Sequence, residues 1–335
     1  MSKAEVAQHF LGMDFSPIFL VNGCPTLDIS QPGYTCMLIE QYRELFEFNG
    51  AFRSFKTPAE DHDVSFLGTG PDADTVGAHA AGAPRLVGGL LYLVRCSRPD
   101  CSFVAGKLGR WTTRWTEGCE KVLHRLMCYL YHTRDHKLRM TGRDDVNSSM
   151  FIVAFTDADH AGEVATSHST SGACLFIMDT SCKMRCLIGW RSKKQNVTAF
   201  STGEAEAVAT AELVKTLLLP CLGTFDNFMP LPALALGDAS VVERCLQAGW
   251  SKNMRYLRKH QRVSISLLHD VFHGDRALAT FGHTSSETNV AGIFTKALPV
   301  ASVRKHVSFL GIEQIASLPN SEADTSKTDR GGEAC

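Results

Sequence analysis

The feature that most constrains the fold is an apolar run that ends abruptly in acidic residues. Residues 150–155 are apolar and rich in β-branched and aromatic side chains, and Asp157 and Asp159 follow almost directly. A short run of this kind is typical of a strand that is buried on both faces. We therefore predict a buried strand that delivers Asp157 at its C-terminal end.

Strand and helix patterns alternate after this run. Residues 172–178 and 186–190 predict two further strands, so that the sheet begins antiparallel. The later pattern predicts helices over residues 202–222, from 239 to about 248, 257–272 and 289–298, and strands over 233–238 and 277–281. Strands that first pair antiparallel and then alternate with helices indicate an α/β fold with a mixed sheet and flanking helices.

Helix geometry distinguishes two glutamates at the start of the first of these helices. Glu204 and Glu206 lie two residues apart, hence about 200° apart around a helix, so they cannot both point at one site. Glu204 completes a Ser-x-x-Glu capping box with Ser201. Glu206 begins a stripe with Ala209 and Leu213 that faces the sheet. We therefore favour Glu206 as the site residue.

Asp157 and Asp238 are both predicted at strand ends, and neighbouring strands would bring them to the same edge of the sheet with Glu206. Three converging carboxylates repel one another unless a cation lies between them, and Mg²⁺ prefers oxygen ligands. Two such ions can stabilise the attacking and leaving oxygens of a phosphodiester. The alternative is that these aspartates are ordinary turn or cap residues, since both roles are common at strand ends.

The chain has 335 residues, which corresponds to roughly two domains of about 150 residues. Residues 34–48, 86–93 and 116–131 carry apolar side chains at helical spacing, and this predicts a smaller, mainly helical α+β region before the mixed sheet. Residues 56–84 are rich in glycine, proline and acidic side chains and read as a linker. We predict segments 1–55, 56–84, 85–145 and 150–312, followed by a disordered tail over 318–335.

The apolar stretches are shorter than the roughly 18 residues that a membrane span needs, and the N-terminus lacks the apolar core of a secretory signal. We therefore expect an intracellular protein, in the cytoplasm or the nucleus, without a membrane partner. The 12 cysteines include no Cys-x-x-Cys pair, so we expect free thiols rather than a zinc site.

Net charge gives no sign of a polyanionic partner, because 34 basic side chains face 35 acidic ones. Residues 107–143 are different: they carry nine basic and three acidic side chains, with Trp111, Trp115, Tyr129 and Tyr131 interleaved. This pattern is typical of a nucleic-acid surface, and a solvated helix face is the alternative. The candidate contacts in this region are Arg110, Arg114 and Arg125.

Several linked motifs resemble the ribonuclease H region of copia-type retrotransposon Pol polyproteins, in order and with compatible spacing. These motifs are residues 155–162, 169–172, 189–195, 201–209 and 293–296. Residues 86–93 and 97–100 are similar to the segment that joins reverse transcriptase to ribonuclease H in these elements. Shorter matches further upstream resemble the end of the reverse transcriptase domain, so the resemblance covers about residues 8–312.

The resemblance implies a ribonuclease H-like fold and Mg²⁺-dependent hydrolysis of the RNA strand of an RNA/DNA hybrid, with two Mg²⁺ ions. Carried over residue by residue, it assigns catalysis and metal binding to Asp157, Glu206 and Asp238. Lys193, Lys194 and Gln195 become candidate contacts to the hybrid backbone, although a polar turn after a strand would look the same. Because the chain lacks a Tyr-x-Asp-Asp motif, we expect no polymerase activity.

One departure from the family bears directly on activity. The family's tail motif reads Ala-Asp-Ile-Phe-Thr-Lys, and its aspartate is a fourth metal ligand, whereas this chain has Gly292 at that position. Loss of one anionic ligand should weaken metal binding and impair catalysis. Glu287 and His283 are candidate substitutes. The alternatives are a catalytically inactive nucleic-acid-binding remnant and a scaffold of a parent polyprotein.

Overall fold

The structure is a computed structural model, and it describes residues 8–65, 67–69, 73–145, 148–181, 183–226 and 229–314. The strands in this part of the chain are β1 (His9–Phe10), β2 (Met13–Phe15), β3 (Phe19–Val21), β4 (Cys24–Ser30), β5 (His136–Thr141), β6 (Met150–Glu163), β7 (His168–Asp179), β8 (Arg185–Lys194), β9 (Ala233–Gly237), β10 (Thr280–His283) and β11 (Ile312–Gln314).

The helices described are α1 (Pro32–Leu45), α2 (Asp61–Ser65), α3 (Ala83–Cys96), α4 (Ser102–Gly109), α5 (Glu117–His132), α6 (Thr202–Leu213), α7 (Leu219–Phe225), α8 (Ser240–Ala248), α9 (Leu257–His260), α10 (Ile265–Phe272) and α11 (Val300–Phe309). A π-helical turn, Val214–Leu218, joins α6 to α7, and Pro99–Cys101 and Val290–Phe294 are short 3-10 helices.

The core of the sheet runs in the order β8-β7-β6-β9-β10. β6 pairs antiparallel with β7, and β7 pairs antiparallel with β8. β9 pairs parallel with β6 on its other side, and β10 continues in parallel next to β9. The predicted fold class is therefore confirmed: an α/β, ribonuclease H-like mixed sheet that begins antiparallel and continues parallel.

Helices cover both faces of this sheet, which explains the continuous apolar run in β6. Ile152 and Ala154 point to one face, where they pack with side chains from α6, α8 and α10. Val153 and Phe155 point to the other face, where the 3-10 helix Val290–Phe294 lies. Because successive residues of a strand face opposite sides, a strand buried on both sides needs apolar residues throughout.

The upstream region has a core of its own, formed by α1, α3, α4 and α5. It also contributes β4 and β5 to the sheet, since β5 pairs with β8 through Thr141 and Arg185. Within the predicted linker, α2 places Val64 in this helical core. The domain boundaries stay a prediction, and the predicted tail, 318–335, lies outside the described residues.

Several boundaries differ from the sequence predictions, among them the strand predicted over 277–281, which is observed as Thr280–His283, and three of the differences have a clear physical reason. β6 does not end at Asp157 but continues to Glu163, because β7 supplies hydrogen-bonding partners along the polar half of the strand. The predicted helix over 257–272 is split into α9 and α10 at Arg262, whose φ of 57° is left-handed. The predicted helix over 289–298 is only a 3-10 helix, and Pro299 disfavours helical backbone at the preceding residue.

One helical run in the described part of the chain, Thr202–Phe225, is long and apolar enough to span a membrane by length and composition. In this structure it packs on the sheet, where Leu213, Leu218 and Leu222 are buried in the core. The cysteines that the structure describes, Cys24 among them, are free thiols, as predicted.

Candidate metal centre

The parallel pairing of β6 with β9 brings two aspartates to one level of the sheet. The last paired residues are Phe155 and Leu236, so Asp157 and Asp238 each follow this pair by two residues. Asp238 comes directly after β9, where the chain leaves the sheet, while β6 continues past Asp157. The predicted convergence at one edge is correct, although only one of the two strands ends there.

α6 supplies the third carboxylate. This helix packs on β6 and β7, and Glu206 lies on the face that it turns toward them. One carboxylate oxygen each of Asp157, Glu206 and Asp238 lies within 4.8 Å of the other two. We call these three residues the acidic cluster. Asp157 and Glu206 are 3% and 4% exposed, whereas Asp238 is only partly buried, so the cluster opens to solvent on the Asp238 side.

Burial and mutual repulsion shift the protonation of the acidic cluster. Burial, together with the charges of Asp157 and Asp238, raises the pKa of Glu206 to about 9. Burial also raises the pKa of Asp157, although Lys296 and Thr295 partly oppose this effect. The positive charge of Lys296 therefore offsets the burial and repulsion of the cluster only in part. A hard divalent cation such as Mg²⁺ fits this donor set, because it prefers carboxylate oxygens and offsets their repulsion.

Hydrogen bonds hold each carboxylate in position. The backbone N–H of Ala158 donates to Oε1 of Glu206 at 3.1 Å. The hydroxyl of Thr295 donates to Oδ2 of Asp157 at 2.5 Å, and that of Ser286 donates to Oδ2 of Asp238 at 2.6 Å. Such contacts fix the direction in which ligand oxygens point.

Thr295 and Lys296 belong to the site, but sequence reasoning gave them no role. Nζ of Lys296 lies 4.0 Å from Oδ2 of Asp157, which makes it the nearest cation to the acidic cluster in the part of the chain that the structure describes. The sequence feature that points to both residues is their position in the motif at residues 293–296. Their contacts with Asp157 of β6 depend on the tertiary fold, which a motif does not specify.

Glu204 has the capping role that the sequence predicted. The side chain of Ser201 accepts a hydrogen bond from the backbone N–H of Glu204, and Glu204 in turn accepts one from the backbone N–H of Phe200 at 2.7 Å. Tyr256 and Gln261 also donate to its carboxylate. These contacts direct Glu204 away from the acidic cluster.

The residues weighed as further ligands lie outside the acidic cluster. His283 contacts the carbonyl oxygen of Asp238, and neither it nor Glu287 joins the three carboxylates. Gly292 contributes no side chain, but it is close: a Cβ atom at this position would lie 3.9 Å from Oδ2 of Asp157. Asp159 points to the same side of β6 as Asp157, but it too is absent from the cluster.

The basic region 107–143 is more internal than its composition suggested. Trp111, Trp115 and Tyr129 are buried in the helical core and therefore offer no rings to a nucleic acid. These three rings therefore fit neither the predicted nucleic-acid surface nor the solvated helix face, because they are part of the core. Lys107 is also buried, because α4 packs against β8.

The three arginines predicted to contact nucleic acid have different surroundings. Arg110 lies 3.9 Å from Glu163, and Arg125 pairs with Glu60 at 2.7 Å. Arg114 is exposed and stacks over Trp111. Their role in nucleic-acid binding stays a prediction, with Arg114 the most accessible of the three.

The candidate contacts at the end of β8 also differ from one another. Lys193 pairs with Glu212 at 3.0 Å and Lys194 with Glu163 at 2.7 Å, and both are partly exposed. Gln195 is 3% exposed, and its amide nitrogen donates to Ser171 and to the carbonyl oxygen of Ala205. The amide nitrogen of Gln195 thus joins β7 to α6, and the predicted contact of Gln195 with the hybrid backbone stays a prediction at a buried position.

No family model matches the chain. The chain is 33% identical over 126 residues to secreted RxLR effector protein 161 of Plasmopara viticola, a match that covers 38% of this chain and 82% of that protein. It is 28% identical over 220 residues to the retrovirus-related Pol polyprotein from transposon TNT 1-94 of Nicotiana tabacum, and 23% identical over 233 residues to that from transposon RE1 of Arabidopsis thaliana.

These two matches cover 65% and 69% of this chain but only 15% of each polyprotein, so the chain spans a small part of their length. Among solved structures, it is similar to the ribonuclease H1 of Halobacterium salinarum at 18% identity. That match covers 42% of this chain and 89% of the other, with a TM-score of 0.28. The fold assignment therefore rests on the strand order described above.

Proposed function

We propose that this chain, whose relatives include retrovirus-related Pol polyproteins from retrotransposons, is a metal-dependent ribonuclease H that hydrolyses the RNA strand of RNA/DNA hybrids. The observation that carries this proposal is the convergence of Asp157, Glu206 and Asp238 to within 4.8 Å. Without a bound cation, three carboxylates so close together, two of them buried, repel one another and destabilise the fold.

In this proposal Asp157, Glu206 and Asp238 hold Mg²⁺ ions through their carboxylates. When bound, Mg²⁺ stabilises negative charge on the scissile phosphate and on the attacking and leaving oxygens. Thr295 and the backbone N–H of Ala158 orient the ligand oxygens. Lys296, which is 42% exposed at its side chain, provides a positive charge beside the cluster.

The opening of the acidic cluster on the Asp238 side supports access of a large substrate. Asp238 is partly buried and follows a strand end, while the two other carboxylates lie deeper. A phosphodiester backbone can reach such an edge without unfolding of the surrounding helices. We propose RNA/DNA hybrid as the partner, and we keep the two-ion arrangement as part of the proposal.

Cleavage of a hybrid with a labelled RNA strand tests this function. We expect weak cleavage that requires Mg²⁺, and we expect it to disappear in Asp157→Asn, which removes charge from the most buried of the three ligands at nearly constant volume. Asp226→Asn, at an exposed aspartate outside the cluster, is the matched control and should cleave like the wild type. Cleavage that persists in Asp157→Asn would contradict the proposal.

Gly292 favours a second candidate function, a nucleic-acid-binding protein without turnover. The position that faces Asp157 carries no carboxylate, and fewer anionic ligands weaken a Mg²⁺ site. The Gly292→Asp variant separates the two. Increased cleavage by this variant supports the enzyme, whereas a folded Gly292→Asp protein that binds hybrid without cleaving it supports the binding protein.

A further inference from the structure

A groove of about 660 Å³ lies between the end of β8, α6 and the segment around α9. Its lining includes the basic side chains of Lys193, Lys194, Lys215, Lys259 and Arg262, together with His260. We call this cavity the basic groove. None of Lys215, Lys259, His260 and Arg262 belongs to the acidic cluster or was singled out by the sequence motifs.

The charges in the basic groove are only partly compensated. Lys193 pairs with Glu212, which also pairs with Arg191, and Lys194 pairs with Glu163. Lys215, Lys259 and Arg262 are exposed and form no ion pair with any residue that the structure describes. Three uncompensated cations along one groove favour a polyanion, since each phosphate contact releases condensed counterions.

Arg262 has a left-handed backbone conformation that other residue types adopt more readily. It follows the C-cap of α9 with a φ of 57°, where glycine or asparagine is preferred. The buried neighbour Val263 donates its backbone N–H to the carbonyl oxygen of Leu257, which holds this turn in place. An arginine is therefore presented at the groove in a conformation that is unfavourable for its backbone.

An exposed aromatic ring stands at the side of the basic groove. Phe200 is 75% exposed, and its ring centroid lies 5.8 Å from that of His260, which lines the groove. Tyr256 supports the ring from the edge at 5.5 Å. Phe200 directly precedes the N-cap of α6, the helix that carries Glu206. A ring exposed to this extent leaves its face free for a ligand, and nucleobases stack on such faces.

We propose that the basic groove binds a single-stranded segment of nucleic acid, with Lys215, Lys259 and Arg262 on its phosphates and Phe200 stacked on an unpaired base. The ring needs an accessible base face, which a duplex does not offer along its length, so the geometry favours a single strand over a hybrid at this position. The inference rests on the proposed function for the class of ligand only, and it does not depend on cleavage.

Binding of a fluorescent oligothymidylate of about 12 nucleotides, a length within the site sizes of single-strand-binding folds, tests this inference on the full chain in EDTA. We expect Phe200→Ala to weaken binding by about 5- to 150-fold, the range that stacking of one base supplies. The same variant should bind an abasic strand of equal length as the wild type does. Trp250→Ala, an exposed aromatic that does not line the groove, is the matched control.

The salt dependence of oligothymidylate binding tests the basic side chains of the groove separately from Phe200. Lys259→Gln and Arg262→Gln should each reduce the slope of log affinity against log salt by about 0.7, the value for one phosphate contact on a single strand. Arg85→Gln, at an exposed arginine of α3, should leave the slope unchanged. Unchanged affinity in Phe200→Ala, or an equal loss with the abasic strand or with a blunt RNA/DNA hybrid, would overturn the inference.

The two proposals fail separately. If Asp157→Asn retains single-strand binding while wild-type protein shows no cleavage, the proposed ribonuclease activity is wrong and the proposed single-strand site is supported. If Phe200→Ala and the groove variants bind oligothymidylate like the wild type while Mg²⁺-dependent cleavage is present, the proposed single-strand site is wrong and the proposed ribonuclease activity is supported.

Discussion

A Cβ atom at Gly292 would lie 3.9 Å from Oδ2 of Asp157 and would meet no other heavy atom of the described residues within 4 Å, apart from its chain neighbours and local helix backbone. Position 292 thus faces the acidic cluster across open space. A Cβ atom placed there would point toward the carboxylates without a steric clash, so we expect an aspartate at this position to fit.

Gly292→Asp should therefore create a stronger Mg²⁺ site in a less stable metal-free protein. A fourth carboxylate adds repulsion without Mg²⁺, and it adds an anionic ligand with Mg²⁺, so half-maximal cleavage should need about tenfold less Mg²⁺ because affinity follows ligand charge. Gly292→Asn has a similar shape without the charge and is the control. Equal Mg²⁺ requirements of both variants would show that position 292 does not contact the ion.

Mg²⁺ should also stabilise the wild-type fold. A ligand that binds only the folded state at 100 times its dissociation constant contributes about 2.7 kcal/mol, which thermal unfolding detects as a higher Tm. Asp157→Asn should lose this increase. Asp159→Asn, two residues along the same strand and outside the cluster, should keep it. A Tm increase of equal size in Asp157→Asn would mean that Mg²⁺ binds elsewhere.

The convergence of Asp157, Glu206 and Asp238 could be inferred from the sequence because the chain's local patterns agree with its tertiary contacts, whereas their role in metal binding stays a prediction. The 3.6-residue period separated Glu206 from Glu204, and the apolar run of β6 located Asp157. The far end of β6 could not be predicted, since its residues are polar and only pairing with β7 keeps them extended. The bond from Thr295 to Asp157 spans 138 positions, a distance at which periodicity carries no information.

The exposure of aromatic side chains is also difficult to predict from the sequence. Trp111 and Trp115 alternate with basic residues, a pattern that predicts a nucleic-acid surface, yet both are in the core. Phe200 is exposed beside a basic groove, but it lies in a short segment without the periodicity from which exposure can be predicted. Whether an aromatic ring faces solvent depends on the packing of distant elements, here α9 against the start of α6.

The pairing of β4 with β5 should make stability depend on pH through Asp28. Burial raises the pKa of Asp28, but hydrogen bonds and charges from Arg139 and Lys137 outweigh it and hold this pKa below its ordinary value. A carboxyl with a lowered pKa contributes stability above its unfolded pKa of about 4, and this is lost as the pH falls through the folded value.

Asp28→Asn tests this dependence. At pH 7 it should cost about 1–3 kcal/mol, because Arg139 and Lys137 lose a charged acceptor. Below the folded pKa the wild type is itself protonated, so the difference in the free energy of unfolding from urea titrations should shrink. Asp135→Asn, in an exposed pair with Arg134, is the control with little effect at either pH. A difference that does not change with pH would contradict the assignment.

The buried ion pair in the upstream helices should be a major stabilising contact. Arg98 donates two hydrogen bonds to Asp100, at 3.0 and 2.8 Å, and the hydroxyl of Tyr129 donates a third at 2.9 Å. Asp100→Asn leaves a fully buried guanidinium without its counter-charge and should cost about 3–5 kcal/mol in urea unfolding.

Glu60→Gln provides the comparison, since Glu60 pairs with Arg125 at 2.7 Å but is 59% exposed. An exposed pair contributes at most about 1 kcal/mol. Similar losses in Asp100→Asn and Glu60→Gln would show that burial does not govern the strength of these pairs.

The location of a bound cation tests the central claim most directly. Crystals grown with Mn²⁺ in place of Mg²⁺ give an anomalous difference map whose peaks mark the positions of bound Mn²⁺. We predict a peak within coordination distance of Asp157, Glu206 and Asp238 in the wild type, and no peak there in Asp157→Asn. A map without density at the acidic cluster, or with Mn²⁺ bound only elsewhere, would contradict the account.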